Sequence, residues 1–150
     1  MTRDHQKKRL RKGGAALLIT RETDYALRIL RALSEGELLT AGDISEKEGV
    51  PQQFAYKILK KLEKADLVQI VRGAGGGCRL AAKLEGVTLF DLMGVMDEDI
   101  SVISCMEPGF PCTSPHSEGK RCPAHQRLCL VQAALDRELK SHTLKELLCG

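Results

Sequence analysis

Cys105, Cys112, Cys122 and His125 fall within one short stretch, the last two as Cys122-Pro123-Ala124-His125. Thiolates and a neutral imidazole are the donors that hold iron–sulfur clusters or zinc. Proline directly after a cysteine also occurs in cluster-binding runs. Structural cysteines sit in apolar surroundings, whereas the stretch from Ser101 to Lys120 is polar and rich in proline and glycine. Three more cysteines lie outside the span from Cys105 to His125. Cys129 follows His125 by four residues and shares its helix face, although burial beside a leucine seam explains it better. Cys78 and Cys149 read as spectators.

Donors of this kind need a scaffold, and 150 residues with 43% hydrophobic content can build one ordinary core. Aromatics are 3% and Trp is absent, so Leu, Ile, Val and Ala must fill that core. The apolar run Ala15–Ile19 is far too short to span a bilayer, and Arg21-Glu22-Thr23-Asp24 follows it, which makes a poor signal peptide. A cytoplasmic location with reduced thiols is expected, so metal or redox chemistry outranks a disulfide framework. The net charge of +3 is unevenly placed. Residues 1–12 carry six Lys/Arg against one Asp, and residues 52–72 carry five against Glu63 and Asp66. Such clustering marks a phosphate-binding face, or simply a solvated helix surface.

The elements follow from periodicity. Residues 1–16 read as a basic, flexible arm. A first helix is capped by Thr20 or Thr23, carries Tyr25, Ala26, Ile29, Leu30 and Leu33 at helical spacing, and ends at Ser34-Glu35-Gly36. Leu38 to Gly49 reads as a second helix, with Thr40 as N-cap, Asp43 at the third helical position and Gly49 as its stop. After Val50-Pro51 a third helix runs from about Gln52 to Ala65, with Phe54, Ile58, Leu59 and Leu62 as its inner stripe. Helix, glycine turn and basic amphipathic helix is the helix-turn-helix pattern.

Leu67–Arg72 and Cys78–Leu80 read as a hairpin closed by Gly73-Ala74-Gly75-Gly76-Gly77, a wing beside the third helix. Consecutive glycines there imply positive φ or close approach of the backbone to something. Thr88 to Met96 is a short helix. Residues 99–124 form a cysteine-rich loop, and Pro123 opens a long helix to about Lys140 whose Leu128, Val131, Leu135 and Leu139 make a near-heptad seam. That seam has little of its own chain to pack on, so a homodimer is expected. Leu144–Leu148 is a last short helix.

The fold class expected is mainly α with a small β-hairpin: a winged helix-turn-helix over residues 17–98, the loop over 99–124, and dimerisation and C-terminal helices over 125–150. Gln52, Gln53, Tyr56 and Lys57 begin the recognition helix and are the candidates for base edges. Lys60, Lys61 and Lys64 suit phosphates, and Arg72 at the wing suits a narrow minor groove.

Thr20–Arg28, Ile58–Lys64, Val71–Gly77, Cys122–His125 and Thr143–Leu148 together, in that order, resemble the bacterial Rrf-type winged-helix transcriptional regulators, over nearly the whole chain from Leu18 to Leu148. That family includes an iron–sulfur assembly regulator and a nitric-oxide sensor. The resemblance implies a homodimer on a pseudo-palindromic duplex DNA operator. It also implies a [2Fe–2S] or [4Fe–4S] cluster on Cys105, Cys112 and Cys122, with His125 or the partner subunit's Asp24 as fourth ligand. Within this chain Asp24 also reads as a first-turn acid stabilised by the helix dipole. Cys105 and Cys112 are separated by six residues and Cys112 and Cys122 by nine, the second gap being longer than the family norm. Cys78 stands where Tyr is common. Tyr56 and Lys57 replace an acid and an amide that contact bases in the assembly regulator, so its operator does not carry over.

Redox poise, nitric oxide or iron–sulfur status would be the signal. Zinc in place of a cluster would leave a constitutive binder, and cysteine oxidation alone would make a thiol switch. A metal-trafficking or scaffold protein is the reading from another class. No nucleophile–base pairing supports an enzyme, and no small-molecule substrate or membrane partner is expected.

Overall fold

The computed structural model describes residues 18–114 and 122–150, so the expected basic arm at 1–16 lies outside the described residues. Helix α1 spans Arg21–Leu33. Helix α2 spans Ala41–Glu48 and helix α3 Gln52–Lys64. Strands β1 (Val68–Val71) and β2 (Gly77–Leu80) make an antiparallel hairpin with Val68 opposite Leu80 and Val71 opposite Gly77. Helix α4 spans Leu89–Val95, α5 Pro123–Ser141 and α6 Leu144–Cys149. The fold class is therefore mainly helical with a two-stranded wing.

Local chemistry starts most of these helices. Thr40, Thr88 and Thr143 each open a helix through a capping box, their hydroxyls accepting from the third helical N–H of Asp43, Asp91 and Glu146 while those carboxylates accept in return. Gly49 ends α2 at φ +66°. The second helix is shorter than its pattern suggested. Leu39 instead pairs with Cys78 as an extra bridge on the wing, its N–H donating to the Cys78 carbonyl at 3.0 Å and its carbonyl accepting from Cys78 N–H at 2.7 Å. Hydrophobic spacing cannot distinguish a helix turn from such a bridge.

One core lies between α1, α2, α3 and the wing, built on Ile29, Leu30, Leu33, Ile44, Ile58 and Leu62. Phe54 departs from the expected stripe. It is 39% exposed and its ring lies 5.8 Å from that of Tyr25, while the small side chain of Ala55 takes the buried position. Leu144 is fully buried, and pairing between Thr88 and Thr143 ties the last helix back to the start of α4.

The glycine run serves both purposes expected of it. Gly75 adopts φ +73°. A Cβ on Gly76 would lie 2.2 Å from the Val71 carbonyl oxygen, and one on Gly77 2.7 Å from that of Leu39.

Candidate functional site

The recognition helix presents Gln52, Gln53, Tyr56, Lys57 and Lys60 to solvent, and Arg72, directly after β1 in the wing, is exposed as well. Gln52 and Tyr56 touch through Nε2 and Oη at 3.4 Å. Two lysines are already engaged. Lys57 pairs with Glu22 of α1. Lys61 Nζ lies 3.0 Å from Glu22 Oε2, 3.2 Å from Asp97 Oδ2 and 3.4 Å from the Met96 carbonyl. Hydrogen bonds from Lys57 and then Lys61 hold the Glu22 carboxyl below the usual range. Burial acts to lower the Lys61 pKa, but Glu22 and Asp97 outweigh it and raise it. Lys61 thus ties α3 to α1 and to the end of α4. Arg79 lies on the exposed side of the wing. It stands opposite Gln69, Nε donating to Oε1 at 2.9 Å.

Cys78 is a core thiol, as expected of a spectator. It is 2% exposed and its Sγ donates to the Leu39 carbonyl at 3.0 Å. Burial, reinforced by Asp43, pushes its pKa up to about 11.

The candidate metal ligands are brought together in part. Cys105 sits in a single 3₁₀ turn, Ser104–Met106, and its Sγ lies 3.3 Å from His125 Nδ1. The other ring nitrogen, Nε2, is 3.4 Å from Cys129 Sγ. Cys122 is the N-cap of α5, with Pro123 as the first helical residue, and Cys112 is exposed. Among the described residues no three His, Cys, Asp or Glu side chains are gathered closely enough to hold a metal ion. The donor chemistry fits a cluster, and two of the four expected donors already meet from separate elements. Asp24 is held by Arg28 at 3.1 Å one turn along α1. Cys129, set aside on sequence grounds as buried, is exposed and touches His125.

The chain resembles known proteins in sequence and in fold. The Rrf2 family, described as "Iron-dependent Transcriptional regulator", matches residues 19–150. Protein aau3 of Rhizobium meliloti is 38% identical over 93 residues, 61% of this chain and 60% of that protein. The HTH-type transcriptional regulator IscR of Vibrio campbellii is 30% identical over 130 residues, 87% of this chain and 71% of that protein. In fold, the chain is similar to CymR, the global cysteine regulator of B. subtilis, with a TM-score of 0.67 at 23% identity, covering 89% of this chain and 98% of CymR. Recognition helix, wing and family match agree: the chain belongs to the Rrf2 family of winged-helix, DNA-binding transcriptional regulators and is not an enzyme.

Proposed function

We propose that this regulator acts in the cytoplasm as a homodimer whose grip on a duplex operator depends on an iron–sulfur cluster. Cys105, Cys112 and Cys122 would hold the cluster, with His125 or Asp24 of the partner subunit as fourth ligand. The observation that carries this reading is the meeting of Cys105 Sγ and His125 Nδ1 at 3.3 Å, two metal-competent donors brought from separate elements to the N-terminal turn of α5. When bound, such a cluster supplies a centre whose charge and ligation respond to redox state and small oxidants.

The chain's own residues do the reading. Gln52, Gln53, Tyr56 and Lys57 lie in the first turns of α3, the part that reaches base edges. Lys60 and Lys64 meet phosphates, and Arg72 enters the minor groove; Lys61 supports them by fixing α3 against α1. Arg72→Ala then weakens operator binding by about 1–3 kcal/mol, checked by fluorescence anisotropy at fixed salt.

Dimerisation is supported by α5. Leu130 is 63% and Val131 53% exposed there, and of the apolar seam only Leu139 is buried by the rest of the chain.

The test is to purify the protein without oxygen, measure iron, acid-labile sulfide and zinc per chain, and compare duplex binding before and after chelation. The duplex is the region upstream of its own gene. Iron and sulfide with a changed affinity support the proposal. Zinc alone, or equal affinities in both states, ends the sensing mechanism while leaving a DNA-binding regulator.

A further inference from the structure

Four helices begin at a threonine N-cap, and three of them close a capping box within their own first turn. Helix α1 does not. Its N-cap Thr20 makes no side-chain bond to the helix, and the third helical residue, where the others carry Asp or Glu, is Thr23. The missing carboxylate arrives from 78 residues away. Glu98 Oε1 accepts from Thr20 N–H at 3.1 Å, from the Thr20 hydroxyl and from the Thr23 hydroxyl at 2.5 Å. The same pattern occurs in the local boxes, where Asp43 Oδ2 accepts from Thr40 N–H at 2.8 Å and from its hydroxyl at 2.7 Å.

The place Glu98 comes from is informative. It stands directly after Asp97, whose left-handed φ of +57° turns the chain out of α4 toward the cysteine-bearing segment. Asp97 and the Met96 carbonyl hold Lys61 of the recognition helix. Three consecutive residues at the root of that segment therefore grip both the start of α1 and the last turn of α3. Thr23 is fully buried, and Glu98 Oε2 is buried with no hydrogen-bond partner among the described residues. The joint is made by Met96, Asp97 and Glu98 themselves, so it holds only while the chain at 96–98 keeps its place. A carboxylate at a helix N-terminus is favoured by the helix dipole and by charge-assisted hydrogen bonds. Here that favourable contact is conditional on a remote segment.

We propose that Glu98 is a positioning residue for the DNA-reading helices: it caps α1 from the root of the cysteine-bearing segment, so displacement of that segment uncaps α1 and loosens its seat against α3. The structural part stands on its own; its regulatory consequence rests on the sensing proposal above.

The test is hydrogen–deuterium exchange on the intact protein, with Glu98→Ala and Glu98→Gln, with and without the upstream duplex. Glu98→Ala raises exchange in the peptide covering 20–25 about fivefold, the effect of a lost cap, while α2, with its own box, is unchanged. Glu98→Gln stays near wild type, because its side-chain carbonyl still accepts from Thr20 and Thr23. Duplex binding slows exchange at 96–106 in wild type and Glu98→Gln but not in Glu98→Ala. Unchanged exchange at 20–25 in Glu98→Ala overturns the proposal, as does Glu98→Gln matching Glu98→Ala. Failure of chelation to change DNA affinity in wild type sinks the sensing mechanism only, and the exchange data still judge Glu98.

Discussion

Six cysteines share one chain, and their surroundings sort them by reactivity. Cys78 is buried with its pKa pushed up to about 11, so almost none of it is thiolate near neutral pH. Cys112, Cys129 and Cys149 are exposed. In metal-free protein at mildly alkaline pH, an alkylating agent should modify Cys112 and Cys149 quickly and Cys78 only on unfolding, as followed by peptide mass spectrometry. Fast modification of Cys78 would contradict its burial. The charged residues sort in the same way. Glu22, whose carboxyl is held low by Lys57 and Lys61, contributes stability above the ordinary carboxylate range and loses it as pH falls through the depressed folded value. The pairs are partly exposed, so this amounts to less than about 1 kcal/mol. Glu22→Gln should flatten the acid limb of stability against pH, measured by denaturant titration, and leave the alkaline side little changed.

At the scale of elements, the wing is the most constrained piece. Four residues of its turn region accept no ordinary side chain: Gly73 and Gly75 for their φ of +99° and +73°, and Gly76 and Gly77 for their approach to backbone oxygens. Gly76→Ala forces a Cβ to within 2.2 Å of the Val71 carbonyl unless the turn shifts. A cost of about 1–3 kcal/mol is expected for such overpacking, read by thermal or denaturant unfolding, with weaker DNA binding as the wing loses its shape. The capping boxes at Thr40, Thr88 and Thr143 are the opposite case. Each is written in four consecutive residues, and Thr88→Ala should remove about 1 kcal/mol of stability in the same assay.

At the scale of the whole molecule, α5 is the element that its own chain leaves unfinished. It packs against α4 near Leu139, yet Leu130 and Val131 face solvent. A dimer through this helix would set the separation of two recognition helices, which must match half-sites about 34 Å or a multiple apart. Replacing both Leu130 and Val131 by Asp should give a folded monomer by sedimentation and circular dichroism, with operator affinity sharply reduced. A variant that remains dimeric would place the interface elsewhere.

Most of the fold was readable along the chain because its signals are local. Helical spacing, threonine–acid boxes and a glycine run each act within a few residues. Thr40 with Asp43 and the positive φ of Gly75 need no tertiary knowledge to interpret. The cysteine and histidine types carry the proposal of soft-metal chemistry by their identity alone. Long-range partners had no such signature. Leu39 bridging Cys78, Lys61 shared between Glu22 and Asp97, Ala55 displacing Phe54 from the core and Glu98 capping α1 all depend on how separate segments meet. A carboxylate looks the same in sequence whether it faces water or a helix start many residues away. Which of the two it does is a matter of packing, and packing exists only once the chain has closed on itself.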